Sequence, residues 1–462
     1  MIRYLLSIGL LATIMSLSAQ DCQEDIYADF IAKGQELVTN GDYIKAFEYY
    51  NSAKDYCPER AAAVDELVTQ LITQIAADQE RTEAALAQAE KLVDAFYFYD
   101  RKFALAYGEK GFRIVFYFID KNGDEVERLG QWEKAEQFDY SGYAKVQQAG
   151  DDFLLDTLGN RYSVAYSLAA LDGEKTALDL RGVKLDAFPR RILDYSQLEI
   201  LLLGDYNNRI DIILPEDIDQ LVRLKHLRLR YCRLTQLPAS IGQLTQSNRL
   251  DLWGNQLTQL PAGIGQLTQL EELTLRENQL TQLPASIGQL TQLEELDLWG
   301  NQLTQLPASI GQLTQLNVLS LGENQLTQLP ESIGQLIQLN ALDIISNQLT
   351  QLPTSIGQLT QLEELYLEGN QLTQLPENIG QLTQLEKLDL ERNQLTQLPA
   401  SIGQLTQLEE LYLEGNQLTD LPPTMNNLWQ LQWLDLRGNP NLPPEIISRL
   451  RAQLLGTIMR YE

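Results

Sequence analysis

At 462 residues the chain is longer than one ordinary compact core, so two or three structural units are expected. An apolar fraction of 44% fits a folded chain. A net charge of −28 speaks against nucleic acid, whose phosphates need Lys and Arg, and against anionic membrane surfaces; it favours basic or neutral partners without selecting one.

The first predicted element is an address. Arg3 supplies a small positive region, Leu5 to Leu17 is an apolar run broken only by Ser, Thr and Gly, and Ser16, Ser18 and Ala19 are small. Residues 1–19 therefore read as a secretory signal peptide cut near Ala19–Gln20. The run is short for a bilayer span, and no later segment has spanning length. Asp21, just before Cys22, argues against a lipidated cysteine. The expected mature chain is exported (periplasmic, cell-surface or extracellular) and has no membrane span.

Residues 22–95 read as a helical module. Two amphipathic stretches, near Tyr27–Thr39 and Tyr43–Tyr56, are separated by Asn40-Gly41-Asp42 and stopped by Pro58. Small residues at Gly34, Ala46 and Ala53 let two helices approach, while Phe30 and Tyr50 fill the space between them. The spacing of Gly34, Ala46, Tyr50, Ala53 and Pro58 resembles one unit of the tetratricopeptide family. One unit cannot bury its outer faces, so the helical stretch from Arg60 to about Ala95 is the expected cover, and packing is the expected role. In an antiparallel hairpin Cys22 and Cys57 fall near each other, and an oxidising compartment would join them in a disulfide.

From Phe96 to about residue 170 a β-rich module is expected, because aromatic and β-branched residues alternate between turn signals. Phe118-Ile119-Asp120-Lys121-Asn122-Gly123 is echoed by Leu154-Leu155-Asp156-Thr157-Leu158-Gly159, with Asp120 and Asp156 36 positions apart. With Trp132-Glu133-Lys134-Ala135 and Gly142-Tyr143-Ala144-Lys145-Val146 this resembles the WG-type β-repeat of bacterial proteins, although the Trp-Gly dipeptide is missing. Asp120 to Asp124 starts like a calcium loop, but Glu125 replaces the needed glycine and Gln131 the bidentate Glu, so a hairpin turn is expected and no metal.

Residues 171–443 are dominated by a 23-residue period. Cys232 and then Asn255, Asn278, Asn301, Asn324, Asn347, Asn370, Asn393, Asn416 and Asn439 recur at that interval, each after a frame such as Leu293-x-x-Leu296-x-Leu298. Leu303-Thr304-Gln305-Leu306-Pro307, then Ile310 and Leu313, complete one copy. This pattern resembles the leucine-rich-repeat family of the LPxxIxxL type. The resemblance implies an α/β solenoid, a horseshoe with a parallel inner β-sheet. Leu296 and Leu298 lie two apart and point inward, each Asn serves as a buried structural ladder rung bonding backbone groups, and Cys232 fills one rung inertly. Ten regular coils at about 4.8 Å per strand give an arc of roughly 45 Å. Residues 444–462 are expected to cap the last coil with a helix from Glu445 to about Arg460.

Compared with one another, the copies barely change on the convex side, yet their exposed strand positions change almost every time. That contrast nominates the concave face as the partner-binding surface. Its candidate residues are Arg228, Arg230, Arg249, Trp253, Arg276, Asp297, Trp299, Asp343, Tyr366, Glu368, Asp389, Glu391, Tyr412 and Glu414. The face reads as basic near His226, Arg228, Arg230 and Arg249, and acidic from Glu364 to Glu414; grouped aromatics beside charge are the chemistry of interface anchors. The leading expectation is a non-catalytic scaffold for a protein or peptide. A glycan-binding adhesin using the Trp and Tyr rings is the alternative, and an enzyme hidden in the β-rich middle is the weakest. His226 is the single histidine, no cofactor motif stands out, and no cofactor is expected.

Overall fold

The computed structural model describes residues 24–39, 46, 50, 53, 63–64, 67–68, 103–110, 113–120, 124–139, 141–454 and 456–461. The signal-peptide reading and the Cys22–Cys57 disulfide lie outside the described residues. The chain divides into two compact units, one up to Arg161 and one from Tyr162 onward.

In the first unit, helix α1 (Glu24–Thr39) buries Ile31 and Gly34. A Cβ added at Gly34 would run into the Tyr50 ring, and Ala46 and Ala53 are fully buried, so small side chains set the close approach here. Strands β1 (Ala104–Lys110), β2 (Arg113–Ile119) and β3 (Gln131–Trp132) form an antiparallel sheet in that order. Strands β4 (Lys134–Ala135), β5 (Tyr143–Gln148) and β6 (Asp151–Asp156) pair antiparallel in sequence. Their core joins Phe103, Phe118, Leu129, Trp132, Phe138 and Val146, and the Trp132 indole donates to Leu129 O at 2.8 Å. The two echoing segments share an Asp that accepts the amide four residues on. Asp120 Oδ1 accepts the Asp124 amide at 3.1 Å, and Asp156 Oδ1 accepts the Asn160 amide at 2.8 Å. The Asp120 carboxylate is thus bonded to backbone, while the expected hairpin turn at 121–123 lies outside the described residues.

The second unit is a solenoid. After β7 (Arg161–Ala165), whose Val164 and Ala165 pair parallel with Ala177 and Leu178, each coil adds one short parallel strand. These are β8 (Ala177–Leu180), β9 (Ile200–Leu203), β10 (His226–Leu229), β11 (Arg249–Asp251), β12 (Glu272–Thr274) and β13 (Glu295–Asp297). They continue through β14 (Val318–Ser320), β15 (Ala341–Asp343), β16 (Glu364–Tyr366), β17 (Lys387–Asp389), β18 (Glu410–Tyr412) and β19 (Trp433–Asp435). From β10 to β19 the register advances 23 residues per strand, for example Leu273 opposite Leu296 opposite Leu319. Leu296, Leu298, Leu303, Ile310 and Leu313 of one coil all enter a single continuous core, so each coil is stable only against its neighbours.

Each Asn works as its pattern predicts. Asn301 Oδ1 accepts the Leu280 amide at 3.0 Å, and its Nδ2 donates to Leu275 O at 2.9 Å and Leu298 O at 3.0 Å, tying two coils together. Cys232 can replace Asn because the coil before it is irregular: Ile210 and Ile212 donate to the backbone oxygens of Tyr231 and Cys232, so no leucine amide waits for a side-chain acceptor. Burial pushes the Cys232 thiol up to about 12, which keeps it un-ionised.

On the convex side a 3₁₀ segment such as Ala308–Gln312 follows Pro307, with Ile310 and Gly311 buried. Glycine is required there. A Cβ at Gly288 would lie 2.5 Å from Ser309 O of the next coil. At the carboxyl end helix α2 (Pro444–Gln453) is shorter than expected. The chain turns through Gly456 (φ +107°), and β20 (Ile458–Arg460) pairs parallel with β19, the Ile458 amide donating to Gln432 O at 2.8 Å. The cap is therefore a helix followed by a last strand, since an unpaired β19 edge would leave backbone groups unsatisfied.

Candidate functional site

Leucines alternate inward along each strand, so the intervening residues form the open face of the sheet. Read in coil order the central row is Arg228, Asp251, Thr274, Asp297, Ser320, Asp343, Tyr366, Asp389, Tyr412 and Asp435. The row two residues on runs Arg230, Trp253, Arg276, Trp299, Gly322, Ile345, Glu368, Glu391, Glu414 and Arg437. Segments of this face repeat at two-coil intervals: Asp251-Leu252-Trp253-Gly254-Asn255 returns as Asp297 to Asn301, and Tyr366-Leu367-Glu368-Gly369-Asn370 as Tyr412 to Asn416.

Two cation–aromatic stacks run along this face. In the first, Arg230 and Arg276 lie 4.7 and 5.4 Å from the Trp253 ring centroid, and Arg276 continues to Trp299 at 4.9 Å. Trp299 in turn lies against Gly322, where any Cβ would strike the indole. Tyr231 extends the stack from Trp253 at 6.0 Å to Tyr206 at 5.4 Å. In the second, Lys387 sits 5.4 Å from both Tyr366 and Tyr412, Tyr412 meets Trp433 at 6.5 Å, and Arg460 lies 4.5 Å from Trp433. Between the stacks, β14 and β15 and the residues just after them offer Val318, Ser320, Gly322, Ala341, Asp343 and Ile345, none of them aromatic or cationic, with the Trp299 indole lying over Gly322.

Both ends of the face are neutralised from within. Arg228 is 5% exposed and approaches Asp205 at 3.8 Å and Asp251 at 3.6 Å, while Arg230 pairs with the same Asp251. Arg249 pairs with Glu272 at 2.8 Å. His226 is buried, and burial with the Arg249, Arg228, Arg230 and Arg181 charges holds its pKa well below the usual range, so it is neutral. Of the expected basic cluster, Arg228 and His226 are thus interior, and Arg230 and Arg249 are ion-paired. At the other end Arg437 bridges Glu414 at 2.5 Å and Asp435 at 2.7 Å, Arg392 pairs with Glu368 at 3.0 Å, and Lys387 with Glu410 at 3.1 Å. The carboxylates of Glu391, Glu414 and Asp435 lie within 4.8 Å of one another, and Arg437 already supplies a cation there.

The middle differs. Asp297, Asp343 and Asp389 each accept the amide two residues on (Trp299, Ile345 and Glu391) at 3.0 Å through Oδ1. Among the described residues no Lys or Arg lies within 4.0 Å of these three carboxylates or of Glu391. Burial, then the Asp297 and Asp389 charges, pushes Asp343 up to about 6 against the pull of the Ile345 amide and Arg276. Burial, with Asp389, Glu414, Glu368 and Asp435, pushes Glu391 up to about 7. Burial also raises Asp297 and Asp389.

One structural slot escaped the pattern. The residue before each rung is left-handed in every copy from Tyr231 (φ 53°) through Gly254, Glu277 (53°), Gly300 (67°), Glu323 (49°), Ser346, Gly369, Arg392 and Gly415 to Gly438. Glycine at five of those positions was the available signal; the Glu and Arg between them concealed it.

The fold and this face define a solenoid whose broad inner sheet is its most varied surface. The profile described as a leucine-rich repeat region matches residues 189–301, 308–391 and 364–454, more than half of the chain, and a single Leucine Rich Repeat profile matches 292–313. The chain belongs to the leucine-rich repeat family. No curated protein matches it in sequence. Among solved structures, a leucine-rich repeat protein of Leptospira interrogans is 34% identical, with 62% of this chain and 84% of that one covered (TM-score 0.45). The plant peptide hormone receptor RGFR1, solved in complex with RGF2, is 28% identical over 70% of this chain and 52% of its own (TM-score 0.55). A TDR receptor is 27% identical over 60% and 53% (TM-score 0.53). The chain spans about half the length of these two receptor chains. Among the described residues no helix is long and apolar enough to cross a membrane.

Proposed function

We propose that this protein is an exported, non-catalytic binding protein whose concave sheet holds a protein or peptide partner. The observation that carries the reading is the placement of change. In coils that otherwise match almost residue for residue, substitutions gather on the open strand positions, while convex Thr304, Gln305, Thr314 and Gln315 repeat although they too are exposed. Gly288 and its equivalents have a packing reason to repeat; in the exposed polar columns coil-to-coil bonds occur at the carboxyl end, where Thr419 Oγ1 donates to Thr396 O at 3.3 Å and Gln430 Nε2 to Gln407 Oε1 at 3.1 Å. A receptor of the same fold solved with its peptide hormone supports the reading. Export rests on residues 1–19, and the tetratricopeptide-like and WG-like segments are read as accessory modules.

Sugar stacking is less well supported. A glycan ring needs an open aromatic face, whereas Trp253 has Arg230 and Arg276 beside its ring and Trp299 lies between Arg276 and Gly322. Site-resolved photo-cross-linking tests the proposal. A photoreactive residue at Ser320 or Ile345 should yield partner adducts, and the same residue at Thr304 or Gln315 should not. Equal adducts from both sides would overturn it.

A further inference from the structure

We propose that the partner segment is a polyproline-II strand carrying Lys or Arg at every third residue, laid along the solenoid across Asp297, Asp343 and Asp389. This deepens the concave-face reading and rests on it.

Three observations lead there. First, the chain satisfies its own charges at the ends of the face but not in its middle: Asp251 is taken by Arg230, and Asp435 by Arg437. The three Asp between them have no ion-pair partner among the described residues, and their Oδ1 atoms are spent on backbone amides. The remaining oxygens call for an external cation, which fixes the sign of the partner's charge. Second, those three lie on β13, β15 and β17, so they recur every second coil. At about 4.8 Å per strand the interval is about 9.6 Å, and the row spans about 19 Å. A β-strand brings side chains to one face every about 6.8 Å, which misses this spacing. A polyproline-II helix turns once in three residues and rises about 9.3 Å doing so, which meets it. Third, on β14 and β15, between Trp299 and Tyr366, the open-face side chains Ser320 and Ala341 are small, and aromatic-flanked surfaces suit this stiff, already extended backbone.

The test uses the full mature chain and fluorescent peptides in an anisotropy titration at low salt. (Lys-Pro-Pro)5 should bind saturably, and at least about tenfold more tightly than (Lys-Pro)7 or (Glu-Pro-Pro)5, one decade being about 1.4 kcal/mol. The triple variant Asp297→Asn/Asp343→Asn/Asp389→Asn keeps the Oδ1 acceptors and hence the coil geometry, and should lose about tenfold. The control Glu271→Gln/Glu277→Gln/Glu323→Gln removes the same charge outside the row and should change affinity less than about threefold. Circular dichroism of both variants checks that they fold. Equal binding of (Lys-Pro)7, equal loss in the control, or no saturable binding would each overturn the inference. If Ser320 still cross-links a partner while (Lys-Pro-Pro)5 fails, the segment chemistry is wrong and the concave-face reading stands. If Ser320 yields nothing as well, both fall.

Discussion

Replacing Asn301 with alanine tests the ladder that makes the concave sheet continuous. The Leu280 amide loses the acceptor it has at 3.0 Å, and a buried N–H left unpaired costs about 1–3 kcal/mol. The two carbonyls fare better. Leu275 O still accepts from Asn278 at 3.0 Å and Leu298 O from Asn324 at 3.0 Å, so each loses a second bond, worth about 0.5–1 kcal/mol. The sum is about 3 kcal/mol. Cys232→Ala is the matched control, because no leucine amide depends on that side chain; removing a buried thiol there should cost about 1 kcal/mol. Urea unfolding followed by circular dichroism gives the difference, and hydrogen exchange reads the Leu280 amide directly. If the two variants lose equal stability, or the Leu280 amide keeps its protection in Asn301→Ala, the rung account fails.

Further outcomes follow from the same geometry. Gly300→Ala keeps a left-handed residue (φ 67°) with no atom closer than 3.5 Å to the new Cβ, so it should cost about 1 kcal/mol, while Glu323→Gly (φ 49°) should gain up to about 1 kcal/mol; melting temperatures check both signs. Gly288→Ala drives a Cβ against Ser309 O and should cost more, about 2–3 kcal/mol in the same assay. The pH dependence has a defined sign. Glu391 holds its proton to about 7 when folded, against the ordinary 4.5, so the stability linked to it is greatest below 4.5 and is lost as pH rises toward 7. Raised Asp297, Asp343 and Asp389 act in the same direction. The melting temperature should therefore fall between about pH 5 and 8, and Glu391→Gln should flatten that fall; a wild-type rise over this window contradicts the electrostatics.

The repeat frame was legible because its causes are local and recur: leucines two apart choose one strand face, and an Asn every 23 residues has one set of orphan backbone groups to serve. The chemistry of the face was legible only in part. Row membership follows from strand alternation, so Trp253, Arg276, Trp299, Tyr366 and Tyr412 were readable as open-face residues. Whether a charge is spent inside the protein depends on neighbouring coils. Arg228 reads as a surface cation until Asp205 and Asp251 are seen to flank it, and Arg437 looks free until Asp435 and Glu414 meet it. The stacking of Arg276 between two indoles likewise requires coils aligned in register. At the carboxyl end the short Ile458–Arg460 strand was hidden because three residues carry too little pattern to distinguish from a helix tail.

Hydroxyl-radical footprinting of the partner-bound chain tests the central claim most directly. The account predicts that Trp299, Ile345, Tyr366 and Tyr412 become protected, while Trp429, 70% exposed at a position away from the strands, reacts as before. Protection of Trp429 with unchanged oxidation across the inner sheet would contradict it.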